Sequence, residues 1–246
     1  HSMSPFLAIA KRELGSYFAT PIAYIFIVVY LFLSGLFTFY LGGFYEREQA
    51  DLSAFFGFHP WLYLLLVPAV SMRLWAEERK SGSIELLMTL PVTLWQAVLG
   101  KFLAAWLFVG LALSLTFPMW ITVNYLGSPD NGAIITAYLA SLLMAGAFLA
   151  IGSFVSAANR NQVVAFIITI ALCFMLMLAG FPLVLDLFSI WLPASVTSSI
   201  ANLSFLTHFQ NLSKGVLELA DIAFFLLVIG TWLYATTVVL DLKKAE

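Results

Sequence analysis

The sequence predicts an all-α protein that crosses a membrane several times. Of its 246 residues, 62% are hydrophobic, only 10% are charged and 23 are phenylalanine, which is more apolar surface than one soluble domain can bury. Six stretches without Asp, Glu, Lys or Arg are long enough to span, because a helix needs about 20 residues to cross the hydrocarbon core. We therefore expect residues 3–246 to form a single domain with six transmembrane helices.

The first element is predicted to lie on the membrane rather than to cross it. Over residues 4–19, apolar side chains recur near helical spacing, with Lys11, Arg12 and Glu13 between them. This pattern is typical of an amphipathic interfacial helix. The charge-free stretches that follow set the predicted transmembrane helices. Their bounds are 21–43, 53–75, 97–125, 133–157, 161–186 and 220–241.

Three prolines predict irregularities in these helices. Pro68 and Pro118 fall within the second and third helices, and Pro182 falls near the end of the fifth. Proline removes a backbone donor and kinks or locally opens a helix. Such kinks suit gating, and packing by neighbouring helices explains them as well.

One more charge-free run, 187–213, is long enough to span but is predicted to stay at the outer surface. It carries Pro193, Asn202, Asn211 and a cluster of Ser and Thr. Burying so many hydroxyls and amides in lipid without partners would cost several kcal/mol. We expect a re-entrant or interfacial region here, made of one or two short helices ahead of the last span.

The distribution of Lys and Arg predicts the orientation. With six spans and both chain ends on one side, nine of the eleven basic residues share that side, and Arg47 and Lys214 lie opposite. By the positive-inside rule, the side with nine is cytoplasmic. We therefore predict a multi-pass protein of the bacterial inner membrane with both termini in the cytoplasm. The nine residues are Lys11, Arg12, Arg73, Arg79, Lys80, Lys101, Arg160, Lys243 and Lys244.

The most informative segment is the predicted cytoplasmic loop between the second and third spans. Its sequence predicts a turn at Ser81-Gly82, a short amphipathic helix that begins at Ser83, and a stop before Pro91. A short projecting helix with an apolar face and charged flanks suits docking in a groove of another protein. An ordinary charged turn is the alternative. The predicted apolar face consists of Ile84, Leu87 and Met88.

This loop resembles the hallmark of the ABC-2 family of transporter permeases. In that family an acidic–basic pair, a Gly turn, an E-L-L-x-x-x-P-V core and a downstream G-K recur at this spacing. The resemblance covers the whole chain, and residues 203–221 are similar to the gliding-motility-type branch of the family. The matching residues are Glu78, Arg79, Gly82, Glu85, Leu86, Leu87, Pro91, Val92, Gly100 and Lys101.

The resemblance implies a coupling helix at 78–91 that sits in a cleft of a separate cytoplasmic ABC ATPase. Two permeases, identical or related, and two ATPases would form the working unit. The gliding-motility-type branch adds a membrane protein with a periplasmic domain as a further partner. The implied function is ATP-driven transport, with export as the expected direction. A complex that transports nothing and signals through this chain to a periplasmic partner is the alternative, and a stand-alone channel or scaffold is another.

The chain itself is expected to be neither an enzyme nor the holder of a cofactor. It has no G-x-x-x-x-G-K-[ST] phosphate loop, because Gly100-Lys101 lacks the preceding Gly and the following hydroxyl residue. ATP and magnesium would therefore bind to the partner ATPase, and we expect no nucleic acid partner. The predicted spans also lack deep Asp, Glu, Lys, Arg or His residues, which disfavours an ion-coupled transporter.

Two further groups on the predicted outer side are candidate sites. His59 and His208 lack close ligand spacing, so we interpret them as hydrogen-bonded interface residues and expect no metal site. A substrate path along spans two and five is a hypothesis that rests on uncharged aromatic residues, which suit a lipidic or amphipathic substrate. Anchoring in lipid is the alternative for these residues. They are Phe55, Phe56, Trp61 and Phe181.

Overall fold

The computed structural model of the protein describes residues 5–89 and 91–243, apart from the side chain of Met88. Over these residues the chain forms fourteen α-helices and one π-helical turn, with no strand. The predicted starts of the domain and of the interfacial helix, at residues 3 and 4, lie outside the described residues, as do Leu90 and Lys244.

Helices of very different length make up the chain. In chain order the elements are α1 (Pro5–Phe18), α2 (Pro21–Gly35), the π-helical turn (Leu36–Leu41), α3 (Ser53–Gly57), α4 (His59–Ser71), α5 (Arg73–Ser81), α6 (Ser83–Thr89), α7 (Leu94–Ser114), α8 (Phe117–Leu126), α9 (Asn131–Ala158), α10 (Gln162–Leu178), α11 (Pro182–Trp191), α12 (Ala194–Asn202), α13 (Phe205–Ser213) and α14 (Leu219–Lys243).

Helix α9 lies at the centre of the bundle. It packs against α4, α5, α7, α10, α13 and α14, and small residues let these neighbours approach closely. A Cβ atom at Gly152 would collide with the Ser71 side chain of α4, and one at Gly146 would lie 2.9 Å from both Trp106 and Ile229. The closeness of the packing therefore depends on these two glycines.

Within residues 5–89 and 91–243, four helical segments are long and apolar enough to cross a membrane. They are Pro21–Leu41, Leu94–Leu126, Asn131–Ala158 and Leu219–Lys243. They correspond to the predicted first, third, fourth and sixth spans. Pro118 lies at the start of α8, where the third of the predicted spans is interrupted at residues 115–116.

The predicted second span, 53–75, is divided among α3, α4 and the start of α5. Helix α4 has 13 residues, which is about 20 Å of helix and less than the hydrocarbon thickness. At the interruption at Met72, Ser156 of α9 supplies hydrogen-bond partners for the backbone. Its hydroxyl donates to the Met72 carbonyl at 2.8 Å and accepts from the Trp75 and Ala76 amides at 3.0 and 2.9 Å. The predicted number of six spans is not confirmed by helix length alone.

The predicted fifth helix, 161–186, is wrong as a single helix. Helix α10 ends at Leu178, and the chain then bends by 74° into α11. Gly180 lies at the bend, where a Cβ atom would collide with Ser204 and lie 2.8 Å from Thr207 Oγ1. Helices α12 and α13 follow, so the stretch 187–213, for which an outer location stays a prediction, contains the end of α11 and two short helices.

Helix α1 packs along α7. Its Tyr17 and Phe18 rings both contact Phe108 of α7, at centroid distances of 5.7 and 5.8 Å. Ala10 is buried in this contact region of the bundle. The helix predicted to be interfacial therefore also forms part of the packed protein.

Candidate functional site

A buried lysine is the centre of the candidate site. Lys101 on α7 is 3% exposed, and its Nζ donates to both carboxylate oxygens of Glu13 on α1 at 3.2 Å and to Oε1 of Glu78 on α5 at 2.9 Å. The ammonium also lies 5.2 Å from the Trp75 ring centroid. A buried charge is tolerated when it is paired and hydrogen-bonded. One side chain therefore joins three helices.

Gly100 explains how α1 comes close enough to supply Glu13. A Cβ atom at Gly100 would lie 2.8 Å from the Phe6 carbonyl oxygen and 2.9 Å from the Ile9 side chain of α1. Glycine is therefore needed for the approach of the two helices, and the next residue, Lys101, forms the ion pair. The adjacent glycine and lysine thus have two linked structural roles.

The Glu78 carboxylate extends this network to α6. Burial alone would raise the pKa of Glu78, but the Lys101 ammonium and a hydrogen bond from Ser83 Oγ at 2.5 Å outweigh burial and hold the pKa below its usual value. Ser83 is the first residue of α6. The network therefore fixes the base of α6 to α5 and α7.

Two further cations lie at the end of α9. Arg79 Nη1 donates to the Ala157 carbonyl oxygen at 2.8 Å, and Lys243 Nζ donates to the Ala158 carbonyl oxygen at 2.8 Å. The last carbonyls of a helix lack partners within it and carry partial negative charge, so cations stabilise them. Arg79, Lys101 and Lys243, which the charge pattern assigned to one side, lie at one end of the bundle.

Gly82 separates the predicted coupling helix 78–91 into two elements. Its φ of +79° is in the left-handed region that favours glycine, and it ends α5 as helix C-caps commonly do. Glu78 and Arg79 therefore belong to α5, and α6 is a separate helix. The prediction of one helix over 78–91 is wrong, while the predicted turn at Ser81-Gly82 and the helix start at Ser83 agree with the structure.

The apolar face of α6 points towards the protein itself. Leu87 is 5% exposed and Ile84 packs against the core, so the expectation that these two residues form an external docking face is wrong. The side chain of Met88 lies outside the described residues. Glu85 is exposed and Leu86 is 71% exposed. These two residues, with the exposed Pro91 beyond them, form the outward surface of this segment.

The four residues of the hypothetical substrate path do not form one surface. Phe55 and Phe56 are buried in the core, where the Phe56 ring lies 5.1 Å from that of Tyr138. Trp61 and Phe181 do meet, with ring centroids 5.9 Å apart. The structure therefore leaves only this second pair at the surface between α4 and the bend after α10.

The two histidines on the predicted outer side bind protein groups. His59 is fully buried and bonds the Tyr30 hydroxyl at 2.8 Å and the Phe55 carbonyl at 2.9 Å. His208 lies between the Asp221 carboxylate at 2.5 Å and the Asn202 carbonyl at 2.6 Å. Over residues 5–89 and 91–243 no three His, Cys, Asp or Glu residues are grouped as a metal site would require.

The sequence does not predict the roles of two residues. It indicates an interfacial helix for Glu13 without a partner, although a lone acid beside Lys11 and Arg12 is a weak signal for one. Ser156 carries no signal in the sequence, because its hydrogen bonds at the interruption at Met72 join it to residues 80 to 84 positions away.

Comparison with known proteins identifies the family. A family model described as ABC-2 family transporter protein matches residues 7–240, which includes the Glu13–Lys101–Glu78 cluster and most of the bundle. No curated protein matches the chain. Members of this family act with an ABC ATPase at a membrane, and the long apolar helices of this chain agree with that setting. The chain belongs to the ABC-2 family of transporter proteins and is a multi-pass membrane permease component of an ABC transporter.

Proposed function

We propose that this chain couples ATP hydrolysis by a separate cytoplasmic ATPase to export of a substrate across the bacterial inner membrane. ATP and magnesium bind to the ATPase, and the chain itself performs no catalysis. The observation that carries the proposal is the arrangement of α6, which exposes Glu85 and Leu86 while its base is fixed to the rest of the protein. A segment that docks on a motor protein needs both an exposed contact surface and a firm attachment.

The attachment supplies a route for force. A displacement of α6 reaches Glu78 through Ser83 Oγ, and reaches α1 and α7 through Lys101. Arg79 carries the same displacement to the end of α9, the central helix. Four helices therefore respond together when the ATPase moves α6. This coupling follows from hydrogen bonds and ion pairs that join rigid helices.

Contacts at the charged end of the bundle support six crossings. Glu13, Glu78 and Lys101 meet there, as do the end of α9 and Lys243. The chain therefore runs away from the charged end and back to it three times. The three excursions lie between Glu13 and Glu78, between Lys101 and Ala158, and between Ala158 and Lys243. In this proposal α4 with its neighbours forms the second crossing, and the bent segment α10–α11 forms the fifth.

The same end is the cytoplasmic one in this proposal. It collects the basic residues Arg79, Lys101 and Lys243, and basic residues favour the cytoplasmic side. Both termini then lie in the cytoplasm. Two permeases, identical or related, act together with two ATPases. The chain belongs to the gliding-motility-type branch in this proposal, and a membrane protein with a periplasmic domain is a further partner.

Co-purification in mild detergent tests the proposal. We expect the wild-type chain to retain an ATPase, and the Glu85→Arg, Leu86→Asp double variant to lose it, because both side chains are exposed and their replacement leaves the core intact. Lys11→Glu is the matched control, since Lys11 is an exposed residue on the same proposed side. Equal recovery of the ATPase with the double variant and the wild type would overturn the proposed role of α6.

A second function is favoured by the burial of Phe55 and Phe56. Because the four aromatic residues of the hypothetical path do not form one continuous surface, a complex that transmits movement to a periplasmic partner is the alternative to transport. The two functions differ in what stimulates the ATPase in a reconstituted complex. Stimulation by a transported molecule supports export, and stimulation only by a partner protein supports transmission of movement.

A further inference from the structure

A pocket lies at the opposite end of α9 from the charged cluster. Helix α9 has 28 residues, so its two ends are about 40 Å apart. The pocket has a volume of about 290 Å³ and is formed by the segment around α3, the start of α9 and the end of α13. Its apolar floor includes Leu52, Phe56, Ile134, Leu206 and Phe209, and its polar rim includes Asp51, Asp130, Gln210 and Lys214.

The rim carries charges of both signs that do not neutralise one another. Every hydrogen bond described for the side chains of Asp51 and Asp130 is made by Oδ1, which accepts from the Ser53 amide and hydroxyl in one case and from the Ala133 amide in the other. In the part of the chain that the structure describes, Lys214 forms no ion pair with either acid. The Oδ2 atoms and the ammonium thus remain free to meet a ligand.

The wall that carries Lys214 is held in place. Ser204 Oγ at the start of α13 donates to the Met177 carbonyl at 3.2 Å, and His208 bonds Asp221 of α14. After α13 the chain turns at Gly215, whose φ is +91° and where a Cβ atom would lie 3.1 Å from Ala133 of α9. These contacts fix α13 against the neighbouring helices, so the pocket is formed without a ligand.

We propose that this pocket binds a zwitterionic group attached to a small apolar body. The ammonium part meets the Asp51 and Asp130 carboxylates, the anionic part meets Lys214, and the apolar part rests on the floor around Phe56 and Phe209. Pockets with an apolar lining and a few convergent polar groups are typical ligand sites. A zwitterionic lipid headgroup and a free zwitterion share this chemistry. The proposal does not depend on how the chain engages its ATPase.

Calorimetric titration of the purified chain in detergent tests the chemistry of the ligand. The probes are phosphocholine, dihexanoylphosphatidylcholine below its micelle concentration, and the anionic dihexanoylphosphatidylglycerol. We expect the phosphatidylcholine probe to bind at least about tenfold more tightly than the phosphatidylglycerol probe, since each 1.4 kcal/mol is a factor of ten. Binding of phosphocholine as well indicates that a free zwitterion suffices, and binding of the lipid probe alone indicates a lipid. Equal affinity for the two lipid probes, or no binding by any probe, overturns the proposal.

Three variants test the assigned residues. Asp51→Asn and Asp130→Asn keep the Oδ1 acceptor that each side chain uses locally, and Lys214→Gln removes the cation from an exposed position. We expect each to weaken binding of the phosphatidylcholine probe about tenfold, with an unchanged melting temperature as the check on folding. Asp186→Asn is the matched control, because this exposed acid on α11 does not line the pocket. Unchanged affinity in all three variants overturns the site.

Discussion

Replacing Lys101 with methionine removes a buried cation while keeping a side chain of similar length. The ammonium lies 3.2 and 2.9 Å from oxygens of Glu13 and Glu78, so these two oxygens are at most about 6 Å apart. At an effective dielectric constant of about 20, two unit charges at about 6 Å repel by about 3 kcal/mol. Removing one partner of a buried ion pair costs about 3–5 kcal/mol in other proteins. Both estimates give a loss of about 3 kcal/mol or more in the free energy of unfolding.

Thermal unfolding in detergent, followed by tryptophan fluorescence, measures this loss. For a chain of this size 1 kcal/mol corresponds to roughly 2–4 °C, so Lys101→Met should melt about 10 °C below the wild type. Lys80→Met is the control, because Lys80 is exposed on the same helix as Glu78 and its loss should shift the melting temperature by less than about 2 °C, as surface substitutions do.

A rescue separates charge from packing. Adding Glu13→Gln and Glu78→Gln to Lys101→Met removes the two unpaired carboxylates, and most of the lost stability should return. If Lys101→Met alone melts within about 2 °C of the wild type, the ion-pair cluster does not hold α1, α5 and α7 together, and the reasoning about the force route fails with it.

Three other outcomes are expected. The pKa of Glu78 is lower in the folded protein than its usual value of about 4.5. The carboxylate therefore stabilises the fold above that usual pKa, and this contribution is lost as the pH falls through the lower pKa of the folded state. The melting temperature of Glu78→Gln should consequently change less than that of the wild type between pH 5 and about pH 3. Leu87→Asp should lower the free energy of unfolding by at least about 3 kcal/mol because it places a charge in the core. Leu86→Asp, at an exposed position, should lower it by less than about 0.5 kcal/mol. Equal melting temperatures for the two variants would refute the orientation of α6. Gly100→Val should displace α1, because the added atoms meet the Phe6 carbonyl, and faster proteolysis of α1 than in the wild type would report it.

Local composition was enough to locate most of the long helices. Length and hydropathy are properties of neighbouring residues, so the charge-free runs identified the segments that became α2, α7–α8, α9 and α14. The bend after α10 was not predictable in the same way. It depends on Ser204 packing against Gly180, two residues far apart in sequence. The proline at residue 182 indicated irregularity there but not the 74° angle.

The candidate site shows a second limit of sequence reasoning. The spacing of Ile84 and Leu87 predicted correctly that they share a face, but periodicity does not state whether that face meets the protein or a partner. The motif likewise marked Glu78 and Lys101 without their third partner. Glu13 lies 88 positions before Lys101, and only the approach of α1 at Gly100 brings the two together.

The hydroxyl of Ser156 has a consequence for how the chain is assembled during synthesis. It satisfies the Met72 carbonyl and the Trp75 and Ala76 amides, groups that emerge from the ribosome about 80 residues earlier. At roughly 5–20 residues per second, these backbone groups wait about 4–16 seconds for their partner. Until α9 inserts, the joint between α4 and α5 must rely on water or on translocation machinery, so the N-terminal half of the protein cannot reach its final arrangement before the fourth predicted span is made.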